Sequence, residues 1–296
     1  MTESVSSPLT NGSVSLVESI STDTIISQYK KMGLDVESYF TGIDEVKIYR
    51  CNNTGFRFYY PSSLAAKASF YEELQRITTN YYPIKWEHYK SLKHIQPGNE
   101  ILDIGCGDAM FLKLIHDRLP NTKVMGLEFN ELAIKKAASN GIEVLPESVE
   151  VFSQSNKERF DMVTAYQVLE HVTEPRAFLQ SAVNILKPGG KLIIGVPNNH
   201  PYLYKTDKLH ALNLPPHHMG LWSKESLTSL SGIFNLTLIE CKTEPLVNTY
   251  YYTDYYLKTI GLLKYRSFLF PLLQRFFKYT RHLRTGQCIL AAYKKN

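Results

Sequence analysis

The chain has 296 residues, 44% hydrophobic and 21% charged, enough to bury a core without disulfides or a structural metal. Its net charge of +5 is a mild basic excess that does not by itself identify a nucleic-acid partner. Cys51, Cys106, Cys241 and Cys288 are far apart with no CxxC pair, which argues against a zinc knuckle and for free thiols in a reducing cytosol. No basic-then-apolar leader begins the chain, and no apolar run approaches the roughly 18 residues a membrane span needs, so a cytoplasmic protein is expected.

Residues 1 to about 27 are rich in Ser and Thr and poor in aromatics, and they read as a disordered tail. Residues 28–94 form an N-terminal region. In it, Val46, Ile48 and Tyr49, then Phe56, Phe58 and Tyr60, flank the turn signal Asn52-Asn53-Thr54-Gly55 and predict a β-hairpin. Phe70, Leu74 and Ile77, then Trp86 and Tyr89, have helical spacing, with Pro83 separating two helices.

Residues 95–296 change to alternating strands and helices. Strands are predicted at 101–104, 123–128, 142–145, 160–165, 191–196, 236–241 and 288–293. Helices lie at 109–119, 131–139, 175–186 and 224–231, with a short one starting at 149–152. This is an α/β fold: a doubly wound, seven-stranded, mostly parallel sheet with ligands bound beyond the carboxyl ends of its strands. A helical insertion, 245–286, precedes the last strand.

The strand Ile101-Leu102-Asp103-Ile104 runs into Gly105-Cys106-Gly107-Asp108 and a helix. A dinucleotide fingerprint needs glycine at 110, where this chain has Met110, and no Gly-Lys-Ser/Thr follows to make a P-loop. Asp103 and Asp108 would repel a pyrophosphate, whereas S-adenosylmethionine carries an ammonium, a sulfonium and no phosphate. Glu128, ending the second strand of this region, suits ribose hydroxyls.

With these features the chain resembles the class I, Rossmann-like S-adenosylmethionine methyltransferases. The match runs from about Trp86 to Tyr293 and includes Ile101–Asp108, Val124-Met125-Gly126-Leu127-Glu128, Phe160-Asp161-Met162-Val163 leading to Leu169-Glu170-His171-Val172, Leu186-Lys187-Pro188-Gly189-Gly190-Lys191 and Val196-Pro197-Asn198. Ala109 departs from the glycine many members have. The resemblance implies that the cofactor sits in the loop Asp103 to Asp108, Cys106 included, with Asp103, Gly105 and Gly107 shaping the methionine end. It implies Glu128 on the ribose, Phe129 against the adenine, Ser148 and Val149 bordering the adenine, and Ala165, Tyr166 and Gln167 facing the ammonium and sulfonium. It also implies that Tyr81 to Tyr89 packs over the cofactor as a lid.

A hydroxyl acceptor needs a proton acceptor, and histidine is the usual one near neutral pH. His171 follows the fourth strand of this region. His217 and His218 lie in Leu214-Pro215-Pro216-His217-His218, at the rim of the acceptor side. A metal on these last two needs a third ligand that the sequence does not specify, so none is expected. In the insertion, Lys258, Lys264, Arg266, Arg275, Lys278, Arg281 and Arg284 interleave with apolar residues, and Asp254 is the single acid. The stretch 262–284 suits an anionic membrane surface, a cap packed on the domain, or a dimer contact. The segment 35–60 resembles the preface of bacterial methyltransferases associated with surface polysaccharide, though only Cys51 of the usual Cys pair is present. An oxygen, with nitrogen as the second choice, of a small molecule or saccharide is therefore the expected acceptor. A quinone precursor, RNA, or a cofactor-binding protein without turnover are alternatives, and the modest charge argues against nucleic acid.

Overall fold

In this computed structural model, residues 5–78, 82–199 and 208–296 are described. Strand β1 (Val14–Ser21) and helix α1 (Thr22–Lys30) come first. They correct the expectation of a disordered tail for all of it but residues 1–4, which lie outside the described residues. β1 pairs antiparallel with β2 (Glu45–Cys51), from Val14 opposite Cys51 to Ser21 opposite Glu45. Leu9, Ile25 and Tyr29 are fully buried. The stretch is poor in aromatics, but Leu9, Ile20 and Ile25 are buried by partners far along the chain, which local composition does not reveal.

β2 turns into β3 (Arg57–Tyr60) to form the expected hairpin, and β3 pairs with β9 (Gly220–Leu221). The result is a four-stranded antiparallel sheet, β1-β2-β3-β9. Its apolar side packs on helix α2 (Ala68–Ile77) through Phe70 and Leu74. Ile77, expected on the same face, is exposed at the end of the helix. A second helix, α3 (Trp86–Ser91), follows Pro83.

The larger sheet has the order β10-β11-β8-β7-β4-β5-β6. Its parallel members are β4 (Glu100–Ile104), β5 (Lys123–Leu127), β6 (Glu143–Leu145), β7 (Phe160–Tyr166) and β8 (Leu186–Pro197). Helices α4 (Met110–Arg118), α5 (Glu131–Ser139), α6 (Val149–Phe152) and α7 (Pro175–Asn184) connect them. Helix α8 (Lys224–Thr228) leads to β10 (Leu236–Pro245), and β11 (Thr285–Lys295) runs antiparallel between β10 and β8. Near-continuous apolar runs such as Leu192 to Val196 form the inner strands because both faces are covered. Strand order reverses at β4, between β7 and β5, and the crevice beyond that point is where such sheets bind ligands.

The insertion is two helices, α9 (Thr249–Thr259) and α10 (Arg266–Tyr279), packed by Tyr250 against Phe270 and by Tyr252 and Tyr256 against Phe277.

Candidate active site

A cavity of about 830 Å³ lies at the carboxyl ends of β4, β5 and β7, in the upper part of the range of about 300–1,000 Å³ usual for small-ligand sites. One end is the glycine loop. Gly105 (φ +67°) and Gly107 (φ +55°) take left-handed backbone conformations. A Cβ on Gly107 would stand 2.4 Å from the Tyr82 ring, and one on Gly105 would stand 2.4 Å from Val168. Ala109 is also left-handed at φ +58°, the conformation glycine adopts freely.

Glu128 braces this loop. One carboxylate oxygen accepts from Gly107 N at 2.9 Å, and the other from Phe129 N and Asn130 N at 2.8 and 2.9 Å. Asn130 in turn caps α5 by accepting from Leu132 N and Ala133 N. Asp103 accepts from Thr164 Oγ1 at 2.7 Å, and burial pushes its carboxyl up to about 7 against that hydrogen bond. Asp108 holds Lys136 Nζ at 2.5 Å through Oδ2, while its buried Oδ1 has no hydrogen-bond partner among the described residues.

Asp103, Gly105, Cys106, Asp108, Glu128, Phe129, Tyr166 and Gln167 all line the cavity. Gly107, which lies beneath the Tyr82 ring, and Ser148, Val149 and Ala165 do not. Ser148 caps α6 by accepting from Val151 N, and Val149 is buried in the core. Ala165 points to the opposite face of β7 from Tyr166, as strand alternation requires. Gln167, in a left-handed conformation at φ +56°, donates to Glu87 Oε1 at 3.2 Å. Of the anticipated lid, Tyr82, Pro83, Ile84, Lys85 and His88 line the cavity, whereas Tyr89 is exposed. Tyr81 lies outside the described residues.

The other end of the cavity holds three histidines. His171, in the turn after β7, meets His217 and His218, with ring centroids 4.6 and 4.9 Å away. His217 and His218 stack on each other at 4.6 Å. His171 Nδ1 lies 2.6 Å from the His217 carbonyl and His217 Nδ1 lies 2.8 Å from the Leu212 carbonyl, while His218 Nδ1 faces Asn213 Oδ1 at 3.3 Å. Carbonyl oxygens only accept, so the proton of His171 and of His217 sits on Nδ1. Burial pushes His171 down to about 4, and it pushes His217 and His218 well below the ordinary histidine value, with neighbouring imidazoles adding to the shift. All three rings are therefore neutral near pH 7. A third imidazole, which the sequence does not specify, thus stands beside His217 and His218. His171 was already a candidate, but 46 residues separate it from His217, and no local spacing reveals the meeting.

The N-terminal region positions this cluster. Tyr29 OH donates to the Leu214 carbonyl at 2.8 Å, Tyr59 OH to the Asn213 carbonyl at 2.9 Å, and Tyr59 N to the Met219 carbonyl at 2.9 Å. The Glu170 carbonyl accepts from Met219 N and Gly220 N, both at 2.8 Å. Glu170, Tyr71, Asn248 and Tyr251 also line the cavity and were not anticipated as site residues. Burial pushes the Glu170 carboxyl up to about 8, and its Oε2 has no hydrogen-bond partner among the described residues. The only hint in the sequence was an acid beside His171. Burial, which makes that acid unusual, is a tertiary property.

A family model described as a methyltransferase domain matches residues 78–240. The chain is 31% identical over 113 residues to a ubiquinone biosynthesis O-methyltransferase of Alkalilimnicola ehrlichii, covering 36% of this chain and 45% of the relative. It is 26% identical over 161 residues to a protein of the same description from Pseudomonas fluorescens, covering 47% and 68%. The chain thus spans less than half the length of the first of these relatives. Among solved structures it is similar to a SAM dependent methyltransferase from Archaeoglobus fulgidus (19% identity, 77% of this chain, 100% of that one, TM-score 0.49), a likeness too distant to bear on chemistry.

Proposed function

Because this chain belongs to the methyltransferase domain family, we propose that it transfers a methyl group from S-adenosylmethionine to a hydroxyl oxygen of a small molecule held against His171, His217 and His218. The observation that carries this reading is that the glycine loop and the three neutral imidazoles face one continuous cavity.

The residues present fit the cofactor. Gly105 and Gly107 let the loop turn tightly beneath Val168 and Tyr82, where a Cβ would collide, Glu128 presents a carboxylate at the edge of the loop, and Asp108 Oδ1 is a buried acceptor with no partner among the described residues. These groups, with Asp103 and Gln167, would hold it. S-adenosylmethionine supplies, when bound, an electrophilic methyl on a sulfonium.

The protein's part is alignment and exclusion of water, which can provide most of the acceleration of such a displacement. Tyr82 to Lys85 close the cofactor end, and Tyr71, Tyr251 and Leu212 wall the acceptor end. A hydroxyl must lose its proton as its oxygen takes the methyl, and a cluster imidazole receives that proton at Nε2, because Nδ1 is committed to a carbonyl oxygen.

Two observations favour a phenolic acceptor bearing an apolar group over a saccharide. Both relatives above are named for ubiquinone biosynthesis. Helix α10 and the turn after it carry an outward apolar row, Phe268, Leu272, Phe276, Tyr279 and Leu283, three of which are more than 70% exposed, flanked by Arg275 and Lys278. Such a face suits an anionic lipid surface from which an apolar acceptor would enter. No helix among the described residues is long and apolar enough to cross a membrane.

The test is to supply the full chain with labelled cofactor and a panel of phenols, with and without apolar tails, beside sugar nucleotides. An O-methylated phenol is expected, with kcat falling about 10²–10⁴-fold in His217→Gln while cofactor affinity is unchanged. Methylation of sugars alone would transfer the acceptor to that class. Undiminished turnover in both His171→Gln and His217→Gln would remove the proton-accepting role.

A further inference from the structure

We propose that His171, His217 and His218 form a three-imidazole site for a divalent transition ion such as Zn2+, at the acceptor end of the cavity. It rests on the reading above only in taking this cluster as the place where the acceptor oxygen is handled.

One ring nitrogen from each of the three side chains lies within 4.8 Å of those of the other two. The Nδ1 atoms of His171 and His217 are engaged by the main-chain carbonyls of His217 and Leu212, and that of His218 by the side-chain oxygen of Asn213. That is how metal-binding histidines are held: the outer nitrogen donates to a carbonyl or carboxylate, fixing the tautomer and leaving the other lone pair for the ion. These contacts engage Nδ1 in all three rings, which leaves Nε2 as the atom each would offer an ion. Beside the cluster lies Glu170, whose Oε1 is 4.0 Å from His171 Nε2 and whose buried Oε2 has no partner among the described residues.

Imidazole nitrogens suit zinc, iron, nickel and copper and suit magnesium or calcium poorly. Bonds of about 2.0–2.1 Å would draw the three nitrogens together by rotation of the rings, opening the stack of His217 on His218. Three neutral ligands leave the ion its full charge and an open position toward the cavity, the pattern of catalytic rather than structural sites. With the ion on the three Nε2 atoms, an acceptor hydroxyl at that position would give up its proton to solvent, in place of the transfer to a cluster imidazole in the metal-free chain. Methyl transfer then forms the oxygen–carbon bond as the carbon–sulfur bond breaks, with the electron pair staying on sulfur.

The scaffold explains why such a cluster survives burial. The strand Gly220–Leu221 locks the loop onto β3, and Tyr29 and Tyr59 hold its carbonyls, so the imidazoles are presented by a rigid frame.

The experiment uses the full chain stripped with chelator and titrated with Zn2+ alone, then with Co2+ alone to read its visible absorption. One equivalent is expected to bind, weakened about 100-fold or more in each of His171→Gln, His217→Gln and His218→Gln, and about 10–100-fold in Asn213→Ala through the outer contact. Retained binding of S-adenosylmethionine shows that each variant is folded. Should a variant fail that check, pulsed electron paramagnetic resonance of the Cu2+-loaded, unsubstituted chain counts the coordinating imidazoles directly, and three are expected. Absence of stoichiometric binding to the intact chain, binding indifferent to all three substitutions, or fewer than three coordinated imidazoles would overturn the proposal. These readouts need no acceptor and no turnover. Metal binding without O-methylation would therefore strike the acceptor reading alone, and O-methylation by a chain that binds no ion would strike this one alone.

Discussion

Glu128 shows how one side chain serves both ligand and fold. Its carboxylate binds the backbone of Gly107 on one side and the start of the α5 turn on the other, so the edge of the cofactor pocket is already stiff. Replacing it by alanine removes acceptors for the ribose and also frees three backbone donors. Glu128→Ala is expected to weaken S-adenosylmethionine binding by about 1–3 kcal/mol, measured by calorimetric titration, and to lower the melting temperature without ligand. A variant that lost stability but kept full cofactor affinity would show that the carboxylate only braces the loop. Phe129, beside it, is largely exposed at the rim, and its truncation should cost far less affinity.

At the scale of elements, Glu240 on β10 ties the large sheet to the segment after α3. It takes Lys93, His94 and Lys242 at 2.7, 2.8 and 3.0 Å. Burial alone would raise its carboxyl, but the hydrogen bonds from Lys93, Lys242 and His94 outweigh that and hold it down at about 2. A depressed carboxyl contributes stability that is complete above the unfolded value, about 4.3, and lost as pH falls through the folded one. Chemical denaturation between pH 5 and 2 should therefore show a loss of order 1 kcal/mol that is absent in Glu240→Gln. An equal slope in both proteins would mean that this cluster contributes nothing net.

For the whole molecule, two additions bracket a doubly wound core: an N-terminal sheet that frames the histidine loop, and a helical pair whose Asn248 and Tyr251 reach the cavity while α10 faces outward. The outward face is testable. Arg275→Glu with Lys278→Glu should reduce co-sedimentation with anionic vesicles by more than tenfold, since each basic residue near such a surface is worth about 1 kcal/mol. The intact chain should also detach as salt rises. Unchanged sedimentation, or equal binding to neutral vesicles, would leave α10 as a cap or a contact between copies.

The alternating pattern from Glu100 to Tyr293, the glycine loop and the acid at Glu128 were legible along the chain, because strand and helix periodicity and left-handed turns are local properties of backbone and side chain. The hairpin at 45–60 was legible for the same reason. Three things were decided only by tertiary structure. Leu9, Ile20 and Ile25 are buried by partners distant in sequence, so a stretch with the composition of a tail folded as a strand and a helix. Ser148, Val149 and Ala165 turned from the cavity, because helix capping and strand alternation set their directions once the chain was folded. Finally, the meeting of His171 with His217 and His218 depends on β9 pairing with β3, a contact between residues more than 160 positions apart, and no local spacing encodes it.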